Sequence, residues 1–239
     1  MKFLINRLLN NFGYQITKTK SKPTFNVSYS QCGEDIIVHY VFKLRGIDYP
    51  SYIDIGANHP YSLSNTALFY NIGCRGINIE ANPMLIKEFE LNRHEDQNIN
   101  IGIGPIDEEL DFYIINDPTL STFSKDEADN ITAIGKYSIK NILKVRLTSI
   151  EKILDKYYDG KFPDFLSLDV EGLDFDILKS INFSKYWPKI ICVEAAEYSP
   201  RGDGKRKQDI IDFLLSKGYF EYANTNLNAI MVKTEFWNS

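Results

Sequence analysis

Residues 52–59 read Tyr-Ile-Asp-Ile-Gly-Ala-Asn-His, an apolar run that closes on an acid and a glycine. The run predicts a short buried strand that passes into a tight turn at Gly56. A second short strand is predicted at 76–80, with a helix between the two. Strand, helix and parallel strand make a βαβ unit of a doubly wound sheet, in which ligands bind beyond the carboxyl ends of the strands. Asp54, Gly56 and Glu80 are therefore predicted to meet at one ligand site.

The glycines indicate which ligand the site takes. A dinucleotide site uses the pattern G-x-G-x-x-G to make room for a pyrophosphate. Here the first glycine after Gly56 is Gly73, so a phosphate-free adenosyl ligand such as S-adenosylmethionine is favoured, with Glu80 accepting hydrogen bonds from its ribose. Taken alone, residues 52–56 are equally typical of a strand that merely ends in a turn.

The rest of the chain continues the alternation of strands and helices. It predicts one α/β domain over residues 29–239, with a doubly wound, mostly parallel sheet and an antiparallel closing strand. Further strands are predicted at 99–103, 110–115, 165–169, 190–194, 219–222 and 229–233. Helices are predicted at 35–44, 66–70, 85–92, 175–181 and 208–217, and another begins at Thr148, which has capping-box spacing to Glu151.

Residues 116–142 are rich in Asn, Asp, Ser and Thr and show no clear period. Long loops in compact domains are usually functional or mobile. This segment is therefore predicted to be a lid loop over the site.

Acidic residues follow two further predicted strands. Asp169 and Glu171 end the run Leu166-Ser-Leu-Asp-Val-Glu-Gly, and Glu194 ends the next strand. Carboxylates gathered there are suited to hold an amino group, orient a hydroxyl, act as general base or bind a hard cation. A divalent metal is possible but not predicted, because no His-rich ligand set accompanies the acids. His59, in the turn after Gly56, is a further candidate base.

The bulk composition narrows the partners. The chain has 239 residues and a formal net charge of -5, which argues against nucleic acid and favours a small-molecule or carbohydrate substrate. Three scattered cysteines predict neither a disulfide framework nor a zinc site but buried thiols in a reducing compartment. No signal peptide and no apolar run of about 20 residues is found, so the cytoplasm is expected.

Two basic segments stand apart from this pattern. Residues 1–28 form a predicted basic, amphipathic N-terminal appendage. Its helix is expected to pack on its own domain or on a second subunit, giving a homo-oligomer, or else to meet a membrane or an anionic partner. The loop 201–207, Arg-Gly-Asp-Gly-Lys-Arg-Lys, is expected to be a solvated loop or to clamp a substrate phosphate.

Five motifs together resemble the FkbM family of methyltransferases. They are Tyr29-Ser-Gln-Cys-Gly-Glu-Asp35, Asp54-Ile-Gly-Ala-Asn58, Ile79-Glu-Ala-Asn-Pro83, Leu147-Thr-Ser-Ile150 and Leu168-Asp-Val-Glu-Gly172, in the same order and spacing as in the family. The resemblance extends from about residue 29 to 222. It implies a Rossmann-like class I fold and transfer of a methyl group from S-adenosylmethionine to a hydroxyl of a sugar, nucleotide-sugar or polysaccharide.

The resemblance also implies roles for individual residues. The cofactor is expected to contact Gln31, Asp35, Asp54, Gly56, Ala57, Asn58, Glu80 and Asp169. Asp169 and Glu171 are expected to face the transferring methyl group. Many members have a glycine two residues after the Asn of D-I-G-A-N, whereas this chain has His59 and Pro60. An NAD-dependent oxidoreductase and a non-catalytic adenosyl-binding module remain the alternatives.

Overall fold

The structure is a computed structural model that describes residues 27–196, 199 and 204–239. The predicted N-terminal appendage lies almost entirely outside the described residues, as do residues 201–203 of the basic loop. Within the described ranges, no helix has both the length and the apolar character needed to cross a membrane.

A seven-stranded sheet forms the centre of the domain. Its strands are β1 (Tyr52–Ile55), β2 (Gly76–Ile79), β3 (Gln97–Ile99), β7 (Phe165–Leu168), β8 (Ile190–Glu194), β9 (Tyr219–Asn224) and β10 (Asn228–Lys233). Their order is β3-β2-β1-β7-β8-β10-β9, parallel except that β10 runs antiparallel to both β8 and β9. The predicted α/β fold with an antiparallel closing strand is confirmed. The chain winds outward in opposite directions from β1 and β7, which makes that pair the switch point.

Helices cover both faces of this sheet. They are α1 (Glu34–Leu44), α2 (Ala67–Asn71), α3 (Pro83–Asn92), α4 (Lys125–Ala133), α5 (Ile150–Tyr157), α6 (Asp174–Ser180), α7 (Gln208–Ser216) and α8 (Thr234–Asn238). A hydrophobic core lies on each face of the sheet. Because side chains alternate along a strand, a single strand can contribute residues to both cores. Ile53 and Leu166 belong to the core that contains residues of α5, α6 and α7, whereas Tyr52 and Phe165 belong to the core beside α1 and α8.

Residues 99–148 depart most from the predicted pattern. The strand expected at 99–103 is two strands, β3 and β4 (Gly102–Ile103), on different sheets. β4 pairs with β6 (Ile139–Thr148), and β6 pairs with β5 (Glu109–Ile115), in a separate three-stranded sheet. The alternation at 110–115 therefore marks a real strand, but one that lies outside the main sheet.

The expected lid loop at 116–142 is not a structureless loop. It contains a 3-10 turn at Pro118–Leu120, helix α4 and the beginning of β6. Ile115, Leu120, Ala128 and Ile131 bury their side chains together. The segment therefore has a small core of its own against β5, and its polar composition concealed the three apolar residues that it contributes.

The capping box predicted at Thr148 is also wrong. Thr148 is the last residue of β6, and its hydroxyl donates to Asp107 Oδ1 at 3.1 Å. Helix α5 begins after Ser149 and has no side-chain cap. Of the cysteines, Cys74 and Cys192 are buried as expected, but Cys32 is exposed.

Candidate active site

A cavity of about 400 Å³ opens at the carboxyl ends of β1, β2, β7 and β8, at the switch point of the sheet. It is lined by most of the residues predicted from the sequence: Gln31, Asp54, Gly56, Ala57, Asn58, Glu80, Asp169, Glu171 and Glu194. Parallel strands end at a common edge, so acids far apart in sequence meet there.

The turn after β1 depends on Gly56. Its φ is +79°, and a Cβ atom at this position would lie 1.7 Å from the backbone oxygen of Asp169. The N–H groups of Gly56 and Ala57 both donate to the carbonyl of Ile79, at 3.0 and 3.1 Å. The glycine therefore allows the ends of β1, β2 and β7 to come together at the cavity floor.

Glu80 is held by the backbone on both of its oxygens. Oε2 accepts from the N–H of Asn58 at 2.9 Å, and Oε1 accepts from the N–H of Asn82 at 2.7 Å. Burial raises the pKa of Glu80 to about 6, although both hydrogen bonds lower it. Each carboxylate oxygen can accept a further hydrogen bond, so a ligand diol can be bound by an oriented carboxylate.

Part of the cavity wall is apolar. It is made largely by Ala81, Ile101, Phe112, Leu120 and Phe123, and the rings of Phe112 and Phe123 lie 4.7 Å apart. Three of these residues come from β5 and the segment 116–142, so that segment forms part of the cavity wall. An apolar slot beside an oriented carboxylate fits an adenosyl group, whose base is flat and whose ribose carries two hydroxyls.

The acidic end of the cavity is formed by Asp169, Glu171 and Glu194. One carboxylate oxygen of each lies within 4.8 Å of the others. The pKa of each of the three is raised, mainly because the surrounding protein partly withdraws them from bulk water, and the charge of Glu194 adds to the shift of Asp169. Glu171 and Glu194 are half-buried, whereas Asp169 is exposed to the cavity. Glu171 also has a left-handed backbone with φ of +53°. Strained backbone of this kind concentrates at functional sites.

Lys207 lies against this acidic end. Its ammonium forms an ion pair with Glu194, and its N–H donates to the carbonyl of Ala195 at 2.8 Å. Burial opposes the charge of Lys207, but Glu194 and Asp174 outweigh that effect and raise its pKa. The expectation of a solvated basic loop is therefore wrong for Lys207. Nothing local in the run Lys-Arg-Lys distinguishes the lysine that turns inward.

Two predicted site residues do not belong to the cavity. Asp35 is fully buried and accepts hydrogen bonds from Ser28 Oγ, the N–H of Tyr29 and Ser30 Oγ, at 2.7 to 2.9 Å. It organises the turn before α1 and is not among the residues that line the cavity, so its expected cofactor contact stays a prediction without support from the cavity lining. Gln31, in the same motif, does line the cavity.

His59 is the second of these residues. Its Nδ1 accepts from the N–H groups of Tyr61 and Ser62, at 3.1 and 2.9 Å. The cavity wall formed by the described residues does not include His59. The imidazole closes the turn after the Gly56 motif, so the structure does not support its prediction as a base.

The polar cavity residues that the sequence analysis missed include Asn65 and Ser167. Asn65 and Ser167 line the cavity, and Asn65 Nδ2 donates to Ser167 Oγ at 3.3 Å. Ser167 lies inside the strand motif that ends in Asp169, which was a usable signal. Asn65 lies nine residues after Gly56, outside any recognised motif, and its sequence context gave no signal of a role.

The fold and the cavity together define an α/β protein that binds its ligand at the switch point of a doubly wound sheet. The methyltransferase FkbM domain model matches residues 54–221, and the chain belongs to this methyltransferase family. This family assignment disfavours the oxidoreductase alternative.

Solved structures match the chain at low identity and with TM-scores below 0.5. Methyltransferase FkbM from Methylobacillus flagellatus KT is 15% identical, with a TM-score of 0.46, and the alignment covers 77% of this chain and 44% of that one. This chain thus spans less than half the length of that protein. The O-methyltransferase from Bacillus cereus in complex with SAH is 13% identical, with a TM-score of 0.39. That alignment covers 97% of this chain and 88% of the other. No curated protein matches the sequence.

Proposed function

We propose that this chain is an S-adenosylmethionine-dependent O-methyltransferase that acts on a hydroxyl of a sugar, a nucleotide-sugar or a polysaccharide. The observation that carries the proposal is that one cavity is lined both by the backbone-held Glu80 with apolar side chains and by the acidic cluster of Asp169, Glu171 and Glu194. We assign the first group to a cofactor half and the second to an acceptor half. The first half suits the cofactor, and the second suits the acceptor and the cofactor's amino group.

The cofactor half is assigned to β1, β2 and the segment after β4. Glu80 binds the ribose, Asp54 and Asn58 bind near the methionyl part, and the apolar wall accommodates the adenine. The turn at Gly56 has no further glycine until Gly73, which suits a ligand without a pyrophosphate. S-adenosylmethionine, when bound, supplies a methyl group on a positively charged sulfur.

The acceptor half aligns the hydroxyl and takes its proton. In-line displacement needs the nucleophile aligned with the methyl group in a site from which water is excluded. An alcohol becomes a better nucleophile as a carboxylate accepts its proton. Glu194 is already paired with Lys207, so Asp169 and Glu171 are the stronger candidates for the base.

The first test is calorimetric titration of the purified chain with S-adenosylmethionine, S-adenosylhomocysteine and NAD, with and without magnesium. Micromolar binding of the two adenosyl ligands and no binding of NAD are expected. Binding of NAD alone would overturn the proposal. Magnesium-dependent binding would show that the acidic end holds a metal.

The second test is turnover with sugar acceptors. Asp169→Asn is expected to lower turnover by about 100-fold, within the range for loss of a general base. Asp209→Asn, on the exposed start of α7, is the matched control and should leave turnover unchanged. Cofactor binding without methylation of any hydroxyl acceptor would indicate the non-catalytic module.

Three further expectations belong to this proposal. Residues 116–142 act as a lid that closes over the acceptor, the N-terminal segment mediates a homo-oligomer, and the enzyme works in the cytoplasm. Limited proteolysis with and without S-adenosylhomocysteine tests the first, because closure would protect the segment from cleavage. Sedimentation of the full chain against one lacking residues 1–28 tests the second.

A further inference from the structure

A buried polar network adjoins Asp54 on the side away from the cavity. Its centre is Arg93, which is 0% exposed and follows the last turn of α3. A buried arginine is rare unless its donors are satisfied. Arg93 meets that condition with partners in separate parts of the chain: Tyr52, Pro60, Thr66 and Asp96.

One side of the arginine is held by Asp96 and Tyr52. Arg93 Nε donates to Asp96 Oδ2 at 3.0 Å, and Nη2 donates to the hydroxyl of Tyr52 at 2.9 Å. The Tyr52 hydroxyl in turn donates to Asp96 at 2.7 and 2.8 Å. Asp96 also accepts from the N–H of Gly76 and from Asn78 Nδ2, at 2.9 and 3.0 Å. These hydrogen bonds satisfy the polar groups on this side of Arg93. They explain how its positive charge is tolerated in the core.

The other side of the arginine leads to the cavity. Arg93 Nη1 donates to Thr66 Oγ1 at 3.0 Å, and the Thr66 hydroxyl donates its proton to Asp54 Oδ2 at 2.6 Å. Because the arginine occupies a lone pair of the threonine oxygen, the threonine proton is directed to the aspartate. Thr66 is fully buried and Asp54 is 4% exposed, yet Asp54 lines the cavity.

We propose that Thr66 and Arg93 are positioning residues that hold the Asp54 carboxylate charged and in one orientation for binding of the cofactor. The inference rests on the proposed function, in which Asp54 contacts the methionyl part of S-adenosylmethionine. It adds a hydrogen-bond relay that runs from Arg93 through Thr66 to Asp54. Neither Arg93 nor Thr66 lines the cavity, and neither belongs to a motif recognised in the sequence.

The electrostatics of Asp54 agree with this relay. Burial raises the pKa of Asp54 on balance, while the Thr66 hydroxyl, the Arg93 charge and a hydrogen bond from Ser167 limit the rise. A directed proton and a buried cation thus oppose the desolvation of the carboxylate. The other titratable or charged groups that act on Asp54 or respond to it are Asp96, Glu80, Asp169 and Cys192.

The test compares three substitutions of one residue in the full chain. Thr66→Val keeps the shape and removes the donor, Thr66→Ala removes it with less bulk, and Thr66→Ser keeps it. Affinity for S-adenosylhomocysteine is measured by calorimetry from pH 5 to pH 9. Thr66→Val and Thr66→Ala are expected to weaken binding at pH 7 by about tenfold and to move the pH at which binding fails upward by about one unit. Thr66→Ser is expected to restore both.

The pH profile separates positioning from mere structural support. A loss of affinity that is equal at every pH, or an unchanged profile in both donor-less variants, overturns the relay. If Thr66→Val does not fold, Thr66→Ala gives the same comparison.

A second readout separates this inference from the proposed function. Titration of the Asp54 carboxyl carbon by NMR in the ligand-free protein is expected to show a higher pKa in the donor-less variants than in the wild type. If the wild type binds no adenosyl ligand but this shift is seen, the relay stands and the proposed function fails. If binding is seen without the shift, the relay is wrong.

Discussion

The two charged clusters on either side of Asp54 are built in opposite ways. Behind it, Arg93 and Asp96 are completely buried, and each is surrounded by hydrogen-bond partners. In front of it, Asp169 and Glu171 line the cavity with raised pKa values and with Lys207 nearby. Paired buried charges are part of the scaffold, whereas uncompensated charges at a cavity destabilise the fold and are retained where chemistry needs them.

The largest expected effect comes from a substitution in the buried cluster of Arg93 and Asp96. Arg93→Met leaves Asp96 and the relay to Asp54 without their cation, in a place that water does not reach. The free energy of unfolding should fall by about 3 to 5 kcal/mol, as measured by urea denaturation. Arg75→Met removes an arginine whose ion pair with Glu95 is exposed. This substitution should change the free energy of unfolding by less than about 1 kcal/mol. Equal effects of the two variants would contradict the distinction.

Acidification should protonate Glu80, which should stabilise the ligand-free fold and weaken cofactor binding. The pKa of Glu80 is raised to about 6 in the folded chain, so its protonated form favours folding and that contribution is lost as the pH rises through about 6. Lowering the pH from 8 to 5 should therefore increase the unfolding free energy of the ligand-free protein, by up to about 2 kcal/mol for Glu80.

Cofactor affinity should move the other way over the same range. Protonated Glu80 has lost acceptor capacity for a ribose diol, so affinity should fall about tenfold for each pH unit below about 6. Calorimetry and denaturation on the same samples check both signs. Affinity and stability that fall together on acidification would contradict the assignment of Glu80.

The smallest expected effect is a gain in stability on the cavity side. Glu171→Gln removes a carboxylate whose pKa is raised by burial and by Asp169, so the ligand-free fold should gain about 1 kcal/mol near pH 8 while turnover falls. The gain should shrink as the pH is lowered, because the wild-type carboxyl then takes up a proton. Glu90→Gln, exposed on α3, is the control and should change neither quantity. A loss of stability in Glu171→Gln would show that the acid is a structural element.

Much of the site could be predicted because its signals are local. The runs that form β1, β2, β7 and β8 are apolar and short, and each ends at an acid or a glycine. Buried parallel strands leave that pattern, and their common direction brings Asp54, Glu80 and Asp169 to one edge of the sheet. The family motifs contain the same residues, so the two lines of prediction coincide.

What the sequence determined by itself is therefore the sheet, its ligand edge and most of the cavity acids, since strand periodicity and chain direction are local properties. Only the tertiary structure decided which charges are paired. Lys207 turns in to Glu194, Asp35 turns away from the cavity, and residues 116–142 fold into a wall. A polar side chain carries no local mark of its partner, because that partner is chosen by which distant segments pack against it.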